Sequence, residues 1–373
     1  MKIKKEIILI VGLILILCFV IAAIKIKQNR KKTLVDEKSS VYIALGSGKD
    51  DFLSDDEVKN IIKNRYGLNV TYDDWRNSRM IKDSLVRKNG SGYDAIFTSD
   101  TRYYEYYKQP ADETKGEAER KTVYKGGSLL NTPIVIYTWD TMIDTLLNEK
   151  IITEQNGVYY ITDMSKLLGY ISAEKKWSEL GLEGNDNKIT VETKNPKDYA
   201  LGEKYYELLL YTMCGGNVDE KTADQVLPSL KELYQKTTHT TNETDLFKSF
   251  IQSDSSKKAM IADYEKSIIQ YAYRNPEKWE KVKDKVKILY PTPTIWTSHC
   301  IATFTENGNK FYEALNDKDI EQIAWNKYGF RTATTGVSYD VTQLGITGIP
   351  QTIDSTAFSI RMDLYEKMMS SFE

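Results

Sequence analysis

The tripeptide Ser298-His299-Cys300 places three side chains suited to nucleophile and base work side by side. It lies in residues 294–304, whose β-branched and aromatic content predicts a strand. Neighbours along a strand face opposite sides, so His299 cannot serve Cys300 as a base within it. A structural role is the expectation for both. The whole chain has only two His and three Cys (Cys18, Cys214 and Cys300). Histidine-based acid–base chemistry and multi-His metal sites therefore lack material, no Cys pair has zinc spacing, and no disulfide framework can form. A single Cys214–Cys300 bridge is left open. Asp50, Asp51, Asp55, Asp56 and Glu57 lack the spacing and glycine of a calcium loop and read as favourable charge at a helix start. With no nucleophile–base pair, metal cluster or cofactor motif, the sequence argues against an enzyme and calls for no cofactor.

Other features suit binding better than catalysis. Gly46-Ser47-Gly48 is too short for a dinucleotide or nucleotide phosphate loop. It reads either as a strand-to-helix turn capped by Ser47 or as a ligand-contacting loop. Thr193-Lys194-Asn195-Pro196 reads as a cap with Pro in the first helical turn, or as a second ligand loop leading to Tyr199. Tyr103, Tyr104, Tyr106 and Tyr107 would spread around a helix, which suits a lobe surface or cleft rim more than a stacking platform. Asn69-Val70-Thr71 and Asn242-Glu243-Thr244 match glycosylation sequons that matter only in a eukaryotic host.

Of the 51 basic and 53 acidic residues, eight basic and one acidic lie within residues 1–32, giving that segment +7. The remaining 43 basic and 52 acidic residues give the body −9, which argues against a nucleic-acid partner. Residues 7–24 form an uncharged run rich in Ile, Leu and Val, flanked by Lys2, Lys4 and Lys5 before and by Lys25, Lys27, Arg30, Lys31 and Lys32 after. Eighteen residues at about 1.5 Å each just cross a hydrocarbon core, so an uncleaved anchor is expected, with a cleaved signal peptide as the alternative. The nearly cysteine-free body favours its placement outside the cell, although the basic flanks do not decide orientation.

The body alternates strands and helices. Strands are predicted at 41–45, 68–72 and 93–97, with helices at 51–66 (closed by Gly67) and 81–88. That order signals a parallel sheet with right-handed crossovers. A second α/β stretch follows, with strands at 133–137, 188–191, 259–262, 286–290 and 294–304. Helices are predicted at 141–150, 201–213, 227–234, 245–252, 267–273, 311–315 and 320–328, and residues 355–369 are amphipathic.

Three segments carry a resemblance: 42–48, 190–202 and 289–333. In the last, Tyr290-Pro291, then Thr294-Ile295-Trp296-Thr297-Ser298-His299, then Tyr328-Gly329-Phe330-Arg331 follow one another as in the type II periplasmic, or extracellular, solute-binding proteins. Within that superfamily the chain resembles the molybdate- and sulfate-type branch. The resemblance implies an α/β fold of two lobes, which the apolar run sets behind an N-terminal transmembrane helix: residues 1–6 a basic flank, 7–24 the anchor, 25–40 a tether, 41–131 the first part of lobe 1, 132–137 a crossover, 138–287 lobe 2, and 288–373 the second crossover, the remainder of lobe 1 and the tail. It further implies a ligand site of hydroxyls and amides, with no metal, at Ser47, Gly48, Ser99, Thr132, Thr193, Asn195, Tyr199 and Tyr264. The segment 193–199 departs from the Ser- and Gly-rich loop of the relatives, which speaks against a bare tetrahedral oxyanion. The expected function is a single-pass, membrane-anchored extracytoplasmic protein that captures a small polar ligand, with a membrane permease of ABC type as partner. The alternative is a sensing or scaffolding module of a membrane complex.

Overall fold

The computed structural model describes residues 39–75, 92–109, 122–240, 245–332 and 337–373. The apolar run 7–24, the helix expected at 81–88 and the Asn242 sequon lie outside the described residues. Thirteen strands organise the described chain: β1 (Ser39–Gly46), β2 (Leu68–Trp75), β3 (Ala95–Thr98), β4 (Gly126–Trp139), β5 (Ile152–Gln155), β6 (Val158–Ile161), β7 (Thr193–Lys194), β8 (His239–Thr240), β9 (Met260–Tyr264), β10 (Val286–Pro291), β11 (Thr294–Thr303), β12 (Arg331–Thr332) and β13 (Thr356–Ala357).

β1 pairs in parallel with β2 on one side and β3 on the other. The helix Asp56–Tyr66, capped by the Asp55 side chain and ended by Gly67 in the left-handed region (φ 69°), makes the crossover from β1 to β2. Val41, Ile43 and Leu45 bury themselves on one face with Phe97, Ile301, Phe311 and Phe330, while Ala44 and Ile96 face Tyr103, Tyr107 and Phe304 on the other. A strand covered on both faces reads as an unbroken apolar run, which is why β1 was legible in the sequence.

β4 ties this first packed body to a second. Its residues 126–133 pair antiparallel with β11, and residues 134–139 pair with β9 and β10. β10 continues through Thr292-Pro293 into β11, so both connections run side by side at the waist. The second core gathers Ile134, Val135 and Ile136 of β4 with Trp177, Leu208, Leu210, Phe247, Phe250, Ile261 and Ile269. The helices Glu306–Leu315 and Lys318–Tyr328 return to the first body, where Phe311, Ile320 and Ala324 are buried. The tail, grouped by sequence with the first lobe, instead buries Val341, Ile346, Leu364, Met368 and Phe372 in the second core.

Several local expectations differ from the structure, among them the single helix expected at 51–66, which Asp55 divides into Asp50–Ser54 and Asp56–Tyr66. Residues 188–191 form no strand and make only single bridges, Lys176 to Lys188 and, just beyond, Glu192 to Ile261. The helix expected from 227 starts at Glu220, because Asp219 and Thr222 form a reciprocal cap and Pro228 is carried inside Glu220–Lys236. The amphipathic run expected over 355–369 splits into β13, paired with β11, and the helix Met362–Ser371.

Candidate functional site: the cleft between the two bodies

A cleft of about 540 Å³ opens between the bodies. Ser47 and Gly48, at the end of β1, contribute from the first. Lys194, Tyr199, Ala200, Leu201, Asp245, Lys248, Asp263, Tyr264, Lys266, Gln270 and Arg274 contribute from the second. The close wall at Ala200 depends on Gly202, since a Cβ there would run into the backbone at Lys194 and Pro196.

Of the eight residues expected at the site, Ser47, Gly48, Tyr199 and Tyr264 line this cleft. The other four sit in or behind the walls, because their polar groups are engaged by the protein. Ser99 Oγ donates to the Ser47 carbonyl at 3.0 Å. Thr132 Oγ1 accepts the Lys266 amide at 3.2 Å, so it caps the helix Lys266–Arg274 and does not face a ligand. Thr193 Oγ1 donates to the Ala262 carbonyl at 3.2 Å, and Asn195 Oδ1 accepts the Lys197 amide at 3.0 Å. The lining thus joins hydroxyls and amides, from Ser47, Tyr199, Tyr264, Ser267, Gln270, Tyr271 and Asn275, to charge that was not expected: Lys194, Lys248, Lys266 and Arg274 against Asp245 and Asp263. No local sequence signal marks Lys49 or Lys266, because their burial is a property of the assembled fold.

Burial pushes the Asp263 carboxyl up to about 7, although the Tyr264 amide (2.7 Å) and the Ser267 hydroxyl (3.0 Å) both donate to its Oδ1. Burial also lowers the Lys266 ammonium below the usual lysine value. Behind Ser47, Lys49 is fully buried. Its Nζ lies 3.1 Å from the Ser47 carbonyl, 3.0 Å from Ser99 Oγ and 3.2 Å from His299 Nδ1. Loss of water drives Lys49 well below its ordinary value, and His299, buried beside it, is lowered likewise.

His299 and Cys300 are both buried, with a register shift of β11 between them. Cys300 and Cys214 are free thiols, and burial pushes Cys300 up to about 12, far from a reactive thiolate. Among the described residues, no group of three or more His, Cys, Asp or Glu side chains converges as a metal site.

Beside the cleft a buried ionic network joins the bodies. Arg102, on the helix Thr101–Lys108 of the first body, contacts Asp100 and reaches Glu207 on the helix Ala200–Met213 of the second. Lys204 lies 3.0 Å from Asp100 and 2.9 Å from Glu207, and the Ile360 amide of the tail donates to Glu207 at 2.7 Å. Burial alone would raise Asp100, but the charges of Arg102 and Lys204 hold it far below the usual carboxylate range. At the waist Arg331 makes two bonds to Glu265, at 2.7 and 2.9 Å, and Tyr290 donates a third at 2.6 Å.

No family model matches the chain, and no curated protein matches it in sequence. Solved structures do match. The ferric binding protein from Campylobacter jejuni superposes with a TM-score of 0.57 at 12% identity, covering 89% of this chain and 96% of that one. The two share one mixed α/β fold. The substrate binding protein of an ABC transporter from Agrobacterium tumefaciens gives 0.51 at 13% identity, over 90% of this chain and 95% of that one. A two-component system protein that mediates signal transduction gives 0.51 at 13%, over 90% and 100%. Identities this low speak for the architecture alone. Among the described residues no helix is long and apolar enough to cross a membrane.

Proposed function

We propose that the chain is an extracytoplasmic solute-binding protein that captures a small polar ligand between two lobes and delivers it to an ABC-type membrane permease. The observation that carries this reading is the cleft itself. It takes Ser47 and Gly48 from one packed body and Tyr199, Tyr264 and Lys266 from the other, so a ligand would touch both. In this proposal the first lobe comprises 41–131 with the chain from β11 to β12. The second comprises 138–287 with the tail, and β4 and the β10–β11 connection form the hinge. A ligand that contacts both walls favours the closed arrangement by its extra contacts there. Residues 7–24 would anchor the protein in the membrane as a single span and residues 25–40 would tether the body outside. The reading does not extend to the molybdate- and sulfate-type branch, because a charged cleft and a ferric-binding neighbour fit that narrower assignment no better than its alternatives.

A sensing or scaffolding role is the second reading. It is favoured by the Arg102–Glu207 contact, which joins the bodies with no ligand taking part, and by the signal-transduction neighbour. Thermal-shift screening of anions, sugars, amino acids and short peptides tests capture directly. A ligand at 100 times its dissociation constant adds about 2.7 kcal/mol, a clear rise in melting temperature. Ser47→Trp should abolish that rise by filling the cleft. A panel that leaves the parent protein unmoved would remove solute capture in favour of scaffolding.

A further inference from the structure

We propose that the ligand of this cleft carries an anionic group that docks on the Lys266 ammonium, with Lys49 set behind it as a second, fully enclosed cation. This rests on the capture reading above and adds the chemical class of the ligand. Lys266 lines the cleft yet is only 8% exposed. Its ammonium makes no hydrogen bond or ion pair to any described residue. It faces only aromatic rings, Phe330 at 4.9 Å and Tyr264 at 5.9 Å from the ring centres. Lys49 is held by three neutral acceptors and no carboxylate.

The contrast lies within the same molecule. Buried Arg102 and Lys204 share Asp100 and Glu207, and buried Arg331 has Glu265. The fold thus gives these cations carboxylates but leaves two lysines beside the cleft without a contacting counter-charge. A buried unpaired charge is strongly unfavourable, and such cost is characteristic of functional positions. The near acid does not cancel it. Asp263 directs Oδ1 to the Tyr264 amide and the Ser267 hydroxyl, and forms no ion pair with Lys266. Arg274 is already paired with Asp51 at 3.0 Å, while Lys248 adds a further cation to the cleft wall. Two first-turn amides of the helix Lys266–Arg274 are already occupied, Lys266 N by Thr132 and Ile268 N by the Tyr137 hydroxyl. The side-chain ammonium is the charged group of this helix start left to recognise an anion. Its depressed affinity for protons agrees with a charge that awaits its partner.

The test uses the full chain at fixed ionic strength, with sulfate, inorganic phosphate, citrate and glutamate set against glucose, maltose and putrescine, each at millimolar concentration. At least one of the four anions should raise the melting temperature. Calorimetry should show Lys266→Met weakening that anion by about tenfold to a hundredfold, the worth of a charged hydrogen bond, with Lys266→Arg retaining part of the affinity. Without ligand, Lys266→Met should melt at or above the parent, because it removes an unpaired buried charge. Should Lys266→Met not fold, Lys266→Gln serves the same comparison. Binding of glucose, maltose or putrescine alone, blocked by Ser47→Trp and indifferent to Lys266→Met, would overturn the anionic class and leave solute capture standing. Anion binding unaffected by Lys266→Met would overturn the assignment to Lys266. No binding by any of the seven probes would overturn the anion assignment, and solute capture falls with it only if the wider peptide and amino-acid screen is also silent.

Discussion

The guanidinium of Arg102 meets the Glu207 carboxylate fork to fork, with Nη1–Oε1 and Nη2–Oε2 both 3.1 Å, across the boundary between the two packed bodies. Removing one partner of a buried pair leaves the other charge enclosed. Arg102→Met should therefore cost about 3–5 kcal/mol, read from the urea midpoint, although methionine keeps an unbranched apolar stem in its place. A loss below about 1 kcal/mol, the worth of an exposed pair, would mean that water reaches the network.

Lys49 and Lys266 set a slope of stability with pH. Burial lowers both below the ordinary lysine value of about 10.4, so between those depressed values and pH 10 the unfolded chain binds more protons than the folded one. Stability contributed by these groups should then rise with pH across that window. Lys49 is influenced by Asp74, Asp50 and Lys266, and Lys266 by Asp263, Asp51, Arg274 and Asp245. Urea midpoints of the parent and of the Lys49→Met/Lys266→Met protein should show the rise only in the parent. Equal slopes would mean that both lysines are as hydrated folded as unfolded.

Asp263 works in the opposite sense. Its carboxyl is raised to about 7, so the folded state keeps a proton that the unfolded chain releases near pH 4. Its contribution is fully present below pH 4 and is lost as pH climbs to about 7. Melting temperatures of parent and Asp263→Asn should converge at pH 4 and separate above pH 7, with the variant the more stable. If they separate at pH 4 and converge above pH 7, the carboxylate is stabilised by its bonds to Tyr264 and Ser267 more than burial opposes it.

Gly202→Ala tests the cleft wall. The added Cβ would come within 2.7 Å of Pro196 N and closer still to the Lys194 carbonyl, both backbone, so the segment carrying Lys194 and Tyr199 must move. Overpacking of this kind costs about 1–3 kcal/mol, and the displaced wall should also weaken any ligand found for the parent. Unchanged stability and unchanged ligand affinity together would show that the helix and the 194–196 segment are loosely packed.

What the sequence disclosed, and what it hid, divides along physical lines. β1 and the second half of β4 are legible because strands covered on both faces carry apolar runs, β11 because β-branched and aromatic residues fill it, and Gly67 marks its helix end through the left-handed turn only glycine adopts freely. The β5–β6 hairpin was missed although Asn156-Gly157, with φ of 53° and 78°, is a strong hairpin signal. Its strands are four residues each, with Tyr159 and Tyr160 half-buried in β6, too short for a clear period. At the cleft, Ser47, Gly48, Tyr199 and Tyr264 could be placed because strand ends and helix starts are local features. Ser99 and Thr193 occupy such ends too, whereas Thr132 lies in mid-strand within β4, and tertiary partners consume all three hydroxyls. Lys49 and Lys266 were invisible, since an isolated lysine normally points to water and only the packed neighbours decide otherwise.

The network of Asp100, Arg102, Lys204 and Glu207 has one more consequence. Four charges taken from water into contact gain little net free energy, because lost hydration nearly offsets their attraction. Their geometry is nonetheless demanding, since two carboxylates must meet a planar fork and an ammonium at once. Such an arrangement acts as an alignment pin more than a spring. It dictates the angle and offset at which the halves seat together while contributing little to how tightly they hold, so the outer face formed jointly by the two halves has one shape whenever the network is closed.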